Sequence, residues 1–141
     1  MWLNTFEERL PDWHALRAQT QQLELESALL AINNWWQQTP WQPYYLHWDD
    51  QSMWPSPWDL LADNVYCELA RALGIVYTLL LVDHKDIDSL ELVSTEDSNL
   101  VLVNKGKYIL NWAPDQLLNI KSANIIIKKQ INCEQLRYKL G

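Results

Sequence analysis

The sequence predicts an α+β fold in which amino-terminal helices are followed by a mainly antiparallel sheet. Three observations carry this. Apolar residues recur at steps of three and four early in the chain, and short apolar runs separated by turn residues fill the second half. A chain of 141 residues that is 48% hydrophobic suits a single core. We read residues 1–141 as one domain in three parts: a helical, aromatic-rich stretch over 1–55, a core over 56–112, and a strand with a short helix over 113–141.

Residues 1–18 suit a short first helix broken at Pro11. From Leu23, the residues Leu25, Ala28, Leu29, Ile32, Trp35 and Trp36 form one apolar stripe, with Glu24, Glu26, Asn33 and Gln37 between them. The spacing predicts an amphipathic helix over 22–38, ended by Thr39-Pro40. Trp41 to Pro55 shows neither helical nor strand periodicity and reads as a long aromatic loop pinned by its own rings. Ser56-Pro57-Trp58-Asp59 is a helix start, because Ser56 can accept the N3 amide hydrogen, Pro57 fits N1 and Asp59 suits the positive dipole end. That helix is expected to run to Leu73, with Gly74 as its left-handed cap and Ile75 to Val82 as a buried strand.

Leu90 to Val93 and Asn99 to Val103 read as further strands. Asn104-Lys105-Gly106-Lys107 is a hairpin turn into Tyr108 to Asn111, since glycine supplies positive φ. A turn or short helix at Pro114 to Leu118, a strand over Asn124 to Ile131 and a last helix begun by Asn132 complete the expected order.

Composition excludes several function classes. The longest apolar run, Leu73 to Val82, is far shorter than the roughly 20 residues that cross a bilayer. The first residues lack a basic n-region and an apolar h-region, so an intracellular, reducing setting is expected. Residues 1–97 carry 16 acidic and 4 basic side chains, whereas 98–141 carry 2 and 7. The acidic majority repels phosphate, and Lys105, Lys107, Lys121, Lys128, Lys129, Arg137 and Lys139 are spread over several elements, so no nucleic-acid partner is expected. The asymmetry is either a solvated surface or complementarity between copies or partners. Cys67 and Cys133 are too few for a zinc knuckle and are expected to be buried thiols. Glycine-rich phosphate loops are absent from a chain with three glycines, and no cofactor, metal or small-molecule ligand is expected.

Cys67-Glu68-Leu69-Ala70-Arg71-Ala72-Leu73-Gly74-Ile75, followed by Val76 to Val82 and later by Asn99 to Val103 and Gly106 to Asn111, resembles the transglutaminase-like core of the papain-type fold over roughly 56–112. The resemblance implies a nucleophilic Cys at a helix start, a His at the start of a strand and an Asp on its hairpin partner. Here those places fall at Trp58 or Asp59, at Asn99 or Leu100, and near Asn111, while Cys67 is expected in mid-helix. The triad is unfilled, which implies a non-catalytic relative. The phrases Trp35-Trp36…Thr39-Pro40-Trp41…Pro43-Tyr44-Tyr45 and Trp54-Pro55-Ser56-Pro57-Trp58 are similar in style to small proteins of tailed bacteriophages, including those of cyanobacteria.

The function expected is that of a non-catalytic structural or assembly component of a virion, in the tail or baseplate rather than the capsid, assembled in the host cytoplasm. It would work through protein contacts with other subunits or with itself. The interface candidates are Trp41, Tyr44, Tyr45, Trp48, Trp54, Lys128 and Lys129. Two alternatives stay open. One is a diverged cysteine hydrolase or acyltransferase using Cys67 and His84, with Asp83 or Asp86 as orienter. The other is a glycan-binding module, because eight of the nine Trp lie in residues 1–58 and sugar faces stack on indoles.

Overall fold

The computed structural model describes residues 2–41, 46–64 and 66–141. Helix α1, Phe6–Gln21, starts at Thr5, whose hydroxyl accepts the Glu8 amide at 3.2 Å and donates to the Glu8 carboxylate at 3.0 Å. It continues through Pro11 rather than breaking there. Arg9, Trp13, Leu16 and Thr20 form its buried stripe, and the exposed Pro11 lies off that stripe. The bond that proline cannot donate therefore leaves only a solvent-side carbonyl open, one turn from the start. Helix α2, Leu25–Gln37, buries Ala28, Leu29, Ile32, Asn33 and Trp36 as the stripe requires.

The Ser56/Asp59 capping box starts helix α3 as expected, but α3 ends at Ala62 (Pro57–Ala62). The carbonyls that a longer helix would use go elsewhere. Arg9 Nη1 donates to Leu61 O at 3.0 Å and Asp63 O at 2.6 Å, and the Tyr66 hydroxyl donates to Leu60 O and to Asp63 O. The chain then restarts at Cys67 as helix α4, Glu68–Val82.

Ile75 to Val82 is thus the second half of α4 and not a strand. The run is apolar all round because α4 has no solvent face: α1, α2 and α3 pack on one side and the sheet on the other. Gly74 is not a cap. It lies where a Cβ would sit 2.5 Å from the Trp36 indole, so glycine lets α2 and α4 approach, and the left-handed cap is Asp83 at φ 50°. One turn further on, the Thr78 hydroxyl donates to Gly74 O at 2.7 Å and accepts from Trp13 Nε1 and Trp36 Nε1, each at 2.9 Å. A single buried oxygen ties three helices.

Five strands follow: β1 Leu90–Ser94, β2 Asn99–Val103, β3 Tyr108–Ala113, β4 Gln116–Leu118 and β5 Lys129–Asn132. The sheet order is β4-β3-β2-β1-β5 and every pairing is antiparallel. The chain is therefore α+β, helices first. In the β2–β3 turn Gly106 takes φ 87° and lies against Ile120, so a Cβ is excluded twice over. Pro114 to Leu118 forms a tight turn through Asp115 and then β4, not a helix. The expected strand over 124–131 pairs only from Lys129, because its earlier half has another task. Ile120, Ala123, Ile125 and Ile127 pack as a strap over Val93, Leu100, Leu102 and Ile109 on the outer sheet face. Leu92, Val101, Val103 and Leu110 on the other face join the helices in the main core. Asn132 caps a 3-10 helix, Cys133–Leu140, by accepting the Glu134 amide at 2.9 Å.

Candidate functional site

The amino-terminal end of α4 opens onto a cleft. A cavity of about 410 Å³ there is walled by Trp41, His47, Trp48, Cys67 and Asn99, among others. It shares Trp41, Glu68 and Ser98 with a second cavity of about 220 Å³ that also reaches Gln37, Arg71, Asn111 and Trp112. Helices α2 and α4, strands β1, β2, β3 and β5 and the loop after α2 meet at this point.

The floor is a polar network. Glu68 Oε1 accepts the Asn99 amide at 2.7 Å, and Asn111 Nδ2 donates to Glu68 O at 3.1 Å and Asn99 O at 2.9 Å. Gln37 Nε2 donates to Asn111 Oδ1 at 2.7 Å, and Asn111 N donates to Asn33 Oδ1 at 2.8 Å. Asn111 holds φ 69°, a left-handed geometry that asparagine tolerates better than most residues. Arg71 donates from Nε and Nη2 to the hydroxyl and carbonyl of Thr39, both at 2.7 Å.

Burial pushes the Glu68 carboxyl above its ordinary value; the Asn99 amide and Arg71 oppose that shift and Asp97 adds to it. Burial likewise lowers the Arg71 guanidinium, against the pull of Glu68 and Cys67. Each group feels the other without closing an ion pair, since the ion pairs among the described residues join Lys129 to Asp49 and Arg137 to Glu134.

Cys67 is buried at the N-cap of α4, not in mid-helix as the sequence suggested. The reason is the early stop of α3, which moves the start of the long helix eleven residues along the chain. Asn99 and Asn111, the places that the transglutaminase-like resemblance gives to base and orienter, stand beside each other at this same helix end. His84 does not join them. It follows the other end of α4, about 22 Å away at 1.5 Å per residue. There it is buried, with Nε2 2.8 Å from Leu23 O and Nδ1 accepting the Asp86 amide at 3.1 Å. The Cys67 and His84 pair is not assembled, and the histidine on the Cys67 cleft is His47. Among the described residues no three His, Cys, Asp or Glu side chains are grouped to hold a metal ion.

The interface candidates divide. Trp41 is 57% exposed on the rim of the cleft. Trp48 is half-buried, with Nε1 2.5 Å from Asn99 Oδ1, and Trp54 is buried, donating to His47 O at 2.8 Å and meeting Trp48 edge to face. Trp54 therefore pins the loop and offers no outer surface. Lys129 pairs with Asp49, and Lys128 is exposed. Tyr44 and Tyr45 lie outside the described residues. Sequence reasoning missed Trp112, Glu68, Arg71 and Asn111 as cleft residues, and Met53, Trp58 and Tyr138 as exposed apolar ones. Strand period gave no signal for Trp112, because Leu110 and Asn111 both face the helices and the left-handed Asn111, at φ 69°, breaks the alternation of β3.

No protein-family model matches the chain, and no curated protein matches it.

Proposed function

We propose that the protein is a non-catalytic assembly subunit that works through protein contacts. The observation that carries this reading is a set of large apolar side chains left open to water, in the segment before α3, in α3 and on the carboxy-terminal 3-10 helix. Met53 is 72% exposed, Tyr138 66% and Trp58 39%. One hydrogen bond joins the segment before α3 to the 3-10 helix, Lys139 Nζ donating to Trp54 O, and Tyr77 Oη on α4 donates to Pro55 O, each at 2.7 Å. Burial pushes the Tyr77 hydroxyl up, and the charges of Tyr138 and Asp59 add to the shift. Exposed aromatic and Met side chains on a braced surface are the usual anchors of protein interfaces.

The cleft chemistry supports the non-catalytic part. Asn99 and Asn111 are carboxamides, unable to take a proton from Cys67, and their side chains are spent on Trp48, Gln37 and backbone groups. The proposed setting is a tailed-phage particle, tail or baseplate, and the phage-like phrasing of the sequence is its support. Gradient sedimentation of a lysate from the source cells, with mass spectrometry for the chain, tests it. The chain is expected with particles, and the double variant Met53→Ser/Tyr138→Ser at the top of the gradient. Recovery of the unaltered chain only at the top would contradict the proposal.

One observation favours a second reading, thiol chemistry: Cys67 caps α4 on a cavity that His47 also lines. Iodoacetamide labelling tests it, with Cys133 as the slow internal reference, because burial pushes the Cys133 thiol far up. Labelling of Cys67 that is fast and slowed by His47→Ala supports this reading; equal, slow labelling of both thiols removes it.

A further inference from the structure

The geometry points to a second binding site, independent of the Met53 and Tyr138 surface: we propose that the cleft between Trp41 and Trp112 takes an uncharged pyranose ring. Trp41 and Trp112, 57% and 49% exposed, stand on the rim of the same 220 Å³ cavity. Indoles left open to water over a concavity offer apolar ring faces for stacking.

The floor offers what hydroxyls need. Glu68 uses Oε1 on the Asn99 amide, and Oε2 has no hydrogen-bond partner among the described residues. Arg71 uses Nε and Nη2 on Thr39, and Nη1 has none among them. Gln37 uses Nε2 on Asn111 and keeps its carbonyl oxygen. The three residues that carry these two acceptors and one donor line one cavity together with the two indoles. A pyranose matches that set, because its C–H face is apolar while each hydroxyl both donates and accepts.

Charge narrows the ligand further. Glu68 and Arg71 carry opposite charges, each acting on the titration of the other, so the floor is neutral in sum and selects neither an anion nor a cation. A flat apolar ligand is disfavoured, since it would leave a carboxylate and a guanidinium dry and unpaired. The site is braced from below: Asn111 bridges Glu68 and Asn99 by their carbonyls, and Thr39 fixes Arg71, so little is lost in ordering it on binding.

The test is an NMR titration of the full chain with four neutral probes: maltotetraose, cellotetraose, chitotetraose and mannotetraose. The indole N–H signals of Trp41 and Trp112, identified by their loss in Trp41→Phe and Trp112→Phe, should shift saturably with at least one probe. Its methyl monosaccharide should move the same signals more weakly if the natural ligand is a chain, and equally if it is a free sugar. Trp112→Ala should abolish binding, and Glu68→Gln, which keeps the oxygen bonded to Asn99, should weaken it about tenfold. Met53→Ser/Tyr138→Ser should leave it unchanged, so failure here is separable from failure of the assembly reading. No shift with any of the four probes, or a shift that survives Trp112→Ala, would overturn the proposal. So would displacement of the bound sugar's signals by an unstructured Gly-Ser peptide at equal concentration, which would mark a peptide groove.

Discussion

At Gly74 and Thr78, two buried positions one helical turn apart, the packing of the helices is decided. Alanine in a helix interior ordinarily gains about 1 kcal/mol over glycine. At Gly74 the sign should reverse, because the new methyl group meets the Trp36 ring at 2.5 Å. Gly74→Ala is expected to lose about 1–3 kcal/mol in urea denaturation. A gain would mean that α2 and α4 are not in contact there. Thr78→Val keeps the shape and removes the acceptor shared by Trp13 and Trp36. Two indole N–H groups are then buried without partners, at about 1–3 kcal/mol each, so the loss should be about 2–6 kcal/mol, with Thr78→Ser much milder. Equal stability of the Val and Ser variants would show that the hydroxyl does not matter.

Glu68 belongs to the same scale and sets a pH dependence. Its pKa is raised in the folded state, chiefly by burial, so its contribution favours the fold below the ordinary carboxylate pKa and fades as pH rises through the folded value. Glu68→Gln should therefore gain on the unaltered protein as pH goes from acid to neutral. Thermal denaturation at several pH values reads this directly, and a difference constant with pH would contradict it.

At the scale of elements, what the sequence could reveal follows from where each element meets water. Helix α2 was legible because one side is wet and its apolar residues keep a stripe. The β1–β3 meander was legible because Gly106 marks the turn between short apolar runs. Helix α4 was not, because an element buried all round loses its period, and the eight mostly apolar residues of Ile75 to Val82 then read as a strand. The end of α3 was equally hidden, since the group that stops it comes from α1. Arg9 is buried, donates to the carbonyls of Leu3, Asn4, Leu61 and Asp63 and to Asn64 Oδ1, and stacks over Trp2. Arg9→Met should cost about 3 kcal/mol by leaving several of these carbonyls unpaired, and hydrogen exchange should rise first around residues 61–64. Loss of protection spread evenly over the chain would argue against this local role.

At the scale of the whole molecule, α4 is the axis on which three helices and the sheet are assembled, and its two ends differ in character. Its carboxy-terminal end is closed by Asp83 and by His84 bonded to Leu23 O, whereas its amino-terminal end carries the cleft. The cleft was only partly legible. Trp41 stood out as an aromatic residue without a periodic place, but Glu68, Arg71, Asn111 and Trp112 come together only when α4 starts at Cys67 and β3 closes over it. The Met53 and Tyr138 side chains were hidden as a pair for the same reason, since they lie 85 residues apart in the sequence. The burial of Trp54, by contrast, is not legible, because a Trp in an aperiodic loop gives no hint of which side it packs on.

The assembly reading is tested most directly by placing a photo-crosslinking amino acid at position 53 or 138 of the full chain in its source cells, with exposed position 96 as control. One discrete adduct with another protein subunit is expected, shared by positions 53 and 138 and missing at 96. No adduct at 53 and 138, or the same adduct at all three positions, would contradict it.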